Sequence, residues 1–205
     1  MRTILFVTIL VLLALAVPAT PAHAGGVVSV CDEAHLLAAL AGGGTVTFAC
    51  SGTIILTAEI VIGSDTTIDG SGQNVAISGN HAVRVFIVNS GVALSLNEIS
   101  ITQGYYEGRG GGIRNHGTLS VSNSTFSGNT GRTGGGIFND YDSTVTVSNS
   151  TFVANSGRSG GGISSYGTLT VDHSSFSAMD YCIKMRYNRV AFCHCGSARP
   201  YQGAV

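Results

Sequence analysis

The chain has 205 residues, of which 29 are glycine and only 10% are charged, with a formal net charge of −1. That composition argues against a helical protein and offers no basic footprint for nucleic acid, while frequent Ser, Thr, Val and Ile suit short strands closed by turns. One repeating pattern points to a single all-β domain.

In chain order, Arg2 precedes an apolar run from Ile4 to Val17, followed by Pro18, Pro21 and Ala22-His23-Ala24. Small residues stand where a signal peptidase reads, so residues 1–24 are expected to be a secretory signal peptide and the mature chain to begin near Gly25. The run falls short of the roughly 18–20 apolar residues that span a bilayer. No later segment is expected to span as a helix. Export, to the medium or the cell surface, is the predicted fate.

Residues 25–52 are expected to form an N-terminal cap. Cys31-Asp-Glu-Ala-His-Leu36-Leu37-Ala-Ala-Leu40 reads as one short amphipathic helix, with Asp32 and Glu33 in its first turn and Gly42-Gly43-Gly44 at its stop. Such a helix would cover the unpaired end of a stack of strands. Thr45-Val46-Thr47-Phe48 and Cys50 follow it. In an exported protein, Cys31 and Cys50 so placed predict a disulfide joining cap to coil, with free thiols as the alternative.

Strands are predicted at Thr53–Leu56, Ile60–Ile62, Thr66–Ile68, Val75–Ile77, Val83–Val88 and Leu94–Ile101, separated by turns rich in Gly, Asn, Asp and Ser. From Gly110 the pattern becomes a repeat. Gly-Gly-Gly-Ile ends at Ile113, Ile137 and Ile163, spaced by 24 and then 26 residues, with the two extra residues at Tyr141 and Asp142. Short strands at this period with no helices between them match a parallel β-helix over residues 53–178, with coils about 4.8 Å apart. Four interior files are expected: Ile113, Ile137, Ile163; Leu119, Val145, Leu169; Val121, Val147, Val171; and Phe126, Phe152, Phe176. Asn129 and Asn155, and likewise Asn115 and Asn139, read as structural asparagines stacked at turns. Asn123-Ser-Thr125 and Asn149-Ser-Thr151 fit the glycosylation acceptor pattern, but strict alternation after Val121 and Val147 points both asparagines inward, so no glycan is expected.

Gly111-Gly112-Ile113 with Phe126-Ser-Gly-Asn129, and Gly135-Gly136-Ile137 with Phe152-Val-Ala-Asn155, resemble the repeat of polymorphic outer-membrane proteins. Cys31 to Leu40, followed by Gly43-Gly44-Thr-Val-Thr-Phe48 and Cys50, resembles the opening of secreted bacterial right-handed parallel β-helix proteins. Together the resemblances cover about residues 27–178. They imply a right-handed single-stranded parallel β-helix with a short N-terminal capping helix, acting as a secreted or surface-exposed passenger, often adhesive. They bring no catalytic residues. The third copy departs from the pattern after Phe176-Ser-Ala, where Met179 stands in place of the Asn. Residues 179–205 lose both glycines and alternation, and read either as a C-terminal cap or as a truncation or frameshift product. The pairing of Cys182, Cys193 and Cys195 stays open.

Polysaccharide cleavage on such a scaffold needs carboxylates that converge on one face. Asp65, Asp69, Glu98 and Glu107 are dispersed, and only Asp140 and Asp142 make a local pair. Neither the paired-aspartate motifs nor the Gly-His-Gly motif of polygalacturonases is present. Asn115-His116-Gly117 is a faint echo of the latter, and His116 reads as a turn residue. Asp140 and Asp142 are weak candidates for calcium, without the Gly-Gly-x-Gly-x-Asp array. Cys193-His194-Cys195 supplies too few ligands at too short a spacing for tetrahedral zinc. No catalytic residue and no cofactor is assigned.

Binding fits the residues better. Arg132 and Arg158 occupy equivalent positions before successive glycine runs, and Tyr105, Tyr106, Tyr141 and Tyr166 fall near turns. Stacked arginines place like charges within about 5 Å, unfavourable unless solvated or bridged by an anion. Arg132, Arg158, Tyr141 and Tyr166 are the candidate glycan contacts. The leading expectation is an exported non-enzymatic surface, adhesion or structural module whose partner is polysaccharide or cell-surface glycan and not nucleic acid. The alternatives are a pectin lyase-like enzyme and a truncated fragment without activity. An open final coil at 160–178 predicts edge-to-edge self-association.

Overall fold

The computed structural model describes residues 25–179 and 181–186. The chain winds as an all-β parallel solenoid with three walls and one short helix. The first sheet stacks Val27–Val28, Gly44–Phe48, Thr66–Asp69, Ala93–Asn97, Thr118–Ser122, Thr144–Ser148 and Thr168–Asp172. Gly52–Ile55, Val75–Ser78, Ser100–Thr102, Thr125–Ser127, Thr151–Val153 and Ser175–Ser177 make the second sheet. Ile60–Ile62, Phe86–Val88, Ile113–Asn115, Ile137–Asn139, Ile163–Ser165 and Ile183–Met185 make the third. Each full coil contributes one strand to each wall. The two extra residues, Tyr141 and Asp142, sit in a corner, where an insertion leaves the ladders undisturbed.

Register follows from burial. Ile60, Phe86, Ile113, Ile137, Ile163 and Ile183 are successive partners in the third sheet. Val46, Ile68, Leu96, Val121, Val147 and Val171 do the same in the first sheet, beside the Leu94, Leu119, Val145 and Leu169 file. Ile54, Ile77, Ile101, Phe126, Phe152 and Phe176 form the inner file of the second. The three phenylalanine rings stack with centroids 4.7 Å apart at both steps. A slip of one residue would turn every such column outward, so the apolar core itself holds the coils in register.

The corners are polar and internally satisfied. Between the first and second sheets, Glu98, Asn123, Asn149 and His173 each adopt a left-handed φ, between 42° and 51°. The residue after each is buried: Ile99, then Ser124, Ser150 and Ser174. Ser124 Oγ donates to the Ser122 carbonyl (2.7 Å) and accepts the Ile99 N–H (3.2 Å). Ser150 and Ser174 repeat the arrangement one and two coils on. Contrary to the sequence expectation, Asn123 and Asn149 are exposed. Their left-handed backbone breaks the alternation, so counting by twos from Val121 or Val147 across the corner points the side chain the wrong way.

Two strands also differ from expectation for local reasons. The predicted Val83–Val88 strand begins only at Phe86, because Arg84 is buried and hydrogen-bonded before it. The Leu94–Ile101 stretch divides at Glu98, where the corner intervenes.

The helix spans Glu33–Leu40 and buries Leu36 and Ala39 over the first coil. Asp32 caps it, its carboxylate accepting the His35 N–H at 2.9 Å. Cys31 and Cys50 form a disulfide that fastens this cap to the first coil, a loop closure worth about 3 kcal/mol. Glu33 fastens it a second time, accepting the N–H and hydroxyl of Thr57, both at 2.8 Å. The Thr57 N–H bond holds the Glu33 carboxyl below its usual pKa; burial opposes it, and the Thr57 hydroxyl adds to the lowering. A depressed folded-state pKa contributes stability above the unfolded-state value of about 4.3, lost as pH falls through the folded-state value. The cap is therefore expected to loosen in acid. Between pH 5 and 3, a Glu33→Gln variant should lose less melting temperature than the parent protein; equal losses would remove this anchor from the account.

At the other end, the atypical segment adds one more strand, Ile183–Met185, to the third sheet, paired with Ile163–Ser165. Met179 and Cys182 are buried in the core, and Cys182 is disulfide-bonded. The signal peptide expected at 1–24, Cys193, Cys195 and the rest of the tail from 187 lie outside the described residues.

Candidate functional site

The coils are not uniform: between the second and third sheets a ledge protrudes. Tyr105–Arg109 pairs in parallel with Thr130–Thr133, and bridges at Ser156 and Ser159 extend the ledge into the next coil. By sequence this stretch reads as turns, since Tyr-Tyr-Glu-Gly-Arg shows no alternation. Its strand state is imposed by the partner strand.

Two devices hold the ledge. From behind, buried Asn129 accepts the Gly104 N–H at 2.8 Å and donates to the Ile101 carbonyl at 2.9 Å and to Asn155 Oδ1 at 2.8 Å. From the side comes Arg84, 2% exposed. Its Nε donates to the Gly110 carbonyl (2.8 Å), and its Nη2 to the Arg109 carbonyl (3.1 Å). Its Nη1 pairs with Glu59 at 3.1 Å, and the guanidinium lies 3.8 Å from the Tyr106 ring centroid. Burial lowers the Arg84 pKa and Glu59 opposes that shift; a guanidinium stays charged regardless. A lone arginine between Val83 and Val85 is the sequence signal for this clamp, but its role depends on a partner strand 25 residues on.

The ledge shapes a groove of about 620 Å³ lined by Tyr105, Tyr106, Glu107, Arg132 and Arg158 over a floor of Thr130, Gly131, Ser156 and Gly157. Arg132 and Arg158 lie in adjacent coils, the Arg158 N–H donating to the Arg132 carbonyl at 3.0 Å. Both side chains are exposed, and neither forms an ion pair or ring contact among the described residues. A register shift between Tyr106 and Arg109 sets Glu107 and Gly108 opposite Arg132. Glu107 is the carboxylate that lines this groove.

The structure does not bring the four candidate glycan contacts together. Tyr141 and Tyr166 belong to a second cluster, packed 5.1 Å from each other, with Tyr166 edge-on to Phe138 at 5.1 Å. Arg109 lies over Phe138 at 4.9 Å. In the same cluster, Asp140 meets Arg114 at 2.9 Å, His116 Nδ1 at 3.4 Å and Arg109 at 3.8 Å. Burial, then Arg114, pushes the His116 pKa down, and Asp140 only partly opposes them, so the ring is neutral at neutral pH. A divalent cation at Asp140 would compete with two guanidinium groups already on its carboxylate, and Asp142 is exposed at a left-handed turn position. No group of three or more metal-ligating side chains occurs among the described residues.

Asn115 and Asn139 complete the picture as ladder residues of the remaining corner. Asn115 Nδ2 donates to Asn139 Oδ1 at 2.8 Å, and Asn139 Nδ2 donates onward to Ser165 Oγ at 3.0 Å. Among the described residues, no helix is long and apolar enough to cross a membrane. Compared with known protein families and with curated proteins, the chain finds no match in either.

Proposed function

We propose that the protein is an exported, non-enzymatic β-helical module of the cell surface, adhesive or structural in role, that contacts glycans through the ledge groove. The observation that carries this reading is the groove itself: two tyrosines and two arginines, the latter without an ion pair among the described residues, along a floor bare of large side chains, with Glu107 as its carboxylate. Amphipathic rings beside cationic donors suit the faces and hydroxyls of sugars, whereas cleavage would need a converging acid and base. The apolar leader followed by Ala22-His23-Ala24 and the cap disulfide fit an oxidising compartment. The resemblance of the Gly-Gly-x-Ile and Phe-x-x-Asn repeats to those of polymorphic outer-membrane proteins supports a surface role in the same way.

The test is retention of the purified protein on a panel of immobilised polysaccharides, with released reducing ends measured in parallel. Retention should occur without release. Tyr105→Ala, at a ring that takes no part in the Arg84 clamp, should weaken retention about tenfold, the equivalent of ~1.4 kcal/mol, without shifting the melting temperature. Release of sugar, or no retention on any member of the panel, would sink the reading.

A further inference from the structure

We propose that the ligand of the groove is a linear acidic glycan, carboxylated or sulfated, laid along the rod axis so that its successive anionic residues meet Arg132 and Arg158. The inference rests on the glycan reading above and sharpens it from sugar in general to a repeating anion.

Three observations lead there. Arg132 and Arg158 are one coil apart, joined by the backbone bond from the Arg158 N–H to the Arg132 carbonyl. Adjacent coils stand about 4.8 Å apart, so two like charges rise from neighbouring backbones at that spacing, with Glu107 the one carboxylate that lines the same groove and no ion pair to either arginine among the described residues. A single small anion can bridge the pair, whereas a polymer with an anion on each residue gives each guanidinium its own anion and lays its rings along the floor, and it does so only when its axis follows the coils.

Second, the charges of the protein are sorted. Every described Arg and Lys (Arg84, Arg109, Arg114, Arg132, Arg158, Lys184, Arg186) lies on the ledge, on the third sheet or in the segments flanking them. The first and second sheets and the corner between them carry Asp69, Glu98 and Asp172 and no cation. The groove side also carries Glu59, Asp65, Glu107, Asp140 and Asp142, but Glu59 pairs with Arg84 and Asp140 with Arg114 and Arg109, so the cations left to draw a polyanion into the groove are Arg132 and Arg158.

Third, the floor is stripped. Gly131 and Gly157 sit between the arginine column and the body of the rod, and a Cβ on Gly157 would stand 3.0 Å from the Gly131 carbonyl oxygen. Coil packing thus requires glycine at these positions, and the groove floor of Thr130, Gly131, Ser156 and Gly157 carries no large side chain. At the level of the preceding coil, Glu107 occupies the equivalent of the arginine position and ends the cationic track.

The experiment measures affinity for a carboxylated polymer, a sulfated polymer and a neutral polymer of similar backbone, each at several salt concentrations, with short oligomers as competitors. Binding is expected to the acidic polymers, with competition by acidic tetrasaccharides at least tenfold better than by the acidic monosaccharide. Arg132→Ser with Arg158→Ser should lower acidic-polymer affinity tenfold or more at low salt and flatten its salt dependence by up to about two released counterions. Glu107→Lys should do the reverse, tightening acidic-polymer binding about fivefold; this gain does not depend on a variant losing function. Carboxylated and sulfated polymers distinguish the two sources of the anion. Equal binding of the neutral polymer, unaffected by the arginine pair or by Glu107→Lys, would overturn this inference while leaving the glycan reading standing. An absence of binding to all three polymers would overturn both.

Discussion

Gly135→Val is expected to abolish the cooperative unfolding transition and the soluble yield of the protein. A Cβ at Gly135 would run into the Ser156 carbonyl oxygen and stand 2.6 Å from the Gly161 carbonyl oxygen. Both are backbone atoms of the following coil, so no rotamer change relieves the clash. Gly135 is also held on both sides, its N–H donating to the Gly160 carbonyl (3.1 Å) and its carbonyl accepting from Gly112 (2.9 Å). Moving it aside opens ladders to two coils at once, a cost of about 5 kcal/mol or more, comparable to the whole stability of many domains. In a solenoid, stability is a sum of neighbour interfaces, so a break in the middle disconnects both halves. Gly72→Ala is the control. Unlike Gly135 it has a positive φ (76°), but it has no atom within 4 Å, so alanine there should cost about 1 kcal/mol from backbone strain alone. Thermal unfolding followed by circular dichroism separates the two; a Gly135→Val protein that melts like the Gly72→Ala protein would refute the close approach of these coils.

Asn129→Ala should be the next most damaging change, at about 3–5 kcal/mol in urea unfolding. The side chain fills a fully buried corner and satisfies two backbone groups, the Gly104 N–H and the Ile101 carbonyl, while bonding Asn155 in the next coil. Truncation leaves the Gly104 N–H buried without a partner, at about 1–3 kcal/mol, takes one bond from the Ile101 carbonyl and opens a cavity in the corner. Asn129→Asp should be worse than alanine. It keeps an acceptor for Gly104 but loses the donor, and sets a carboxylate against two acceptor oxygens, the Ile101 carbonyl and Asn155 Oδ1, away from solvent. An aspartate variant as stable as the parent would mean that Asn129 does not serve as a donor.

The phenylalanine and isoleucine columns are legible in the amino-acid sequence because a solenoid writes its core one coil at a time, and equal spacing along the chain becomes superposition in space. Corners are legible only as turns. Ser124, Ser150 and Ser174 form a buried ladder that no hydropathy pattern announces, since serine is common on surfaces too. At Asn123 and Asn149 the same corner reverses the predicted side-chain direction, because alternation holds within a strand and not across a left-handed residue. The candidate site is half visible. Arg132 and Arg158 stand out by repetition, and their coils do stack. Tyr141 and Tyr166 share with them only a place near turns, and the glycine-rich turn between Arg132 and Ile137 carries the chain from the ledge onto another wall. Arg84 and the strand state of Tyr105–Arg109 depend on contacts about one coil distant, and a single unrepeated coil carries no echo that would reveal them.

Because every wall is a parallel ladder, the hydrogen bonds between coils point along the rod, and this gives the protein direction-dependent strength. Tension along the axis bears on one coil boundary after another, peeling successive turns of 24–26 residues, each releasing about 80–90 Å of extended chain. Tension across the axis bears on all the rungs of a wall together, in shear. A tether at the helix-capped end first strips Val27–Val28, after which the Cys31–Cys50 crosslink carries the force past the helix and Gly44–Phe48, so these stay within a covalent loop and peeling resumes at Cys50.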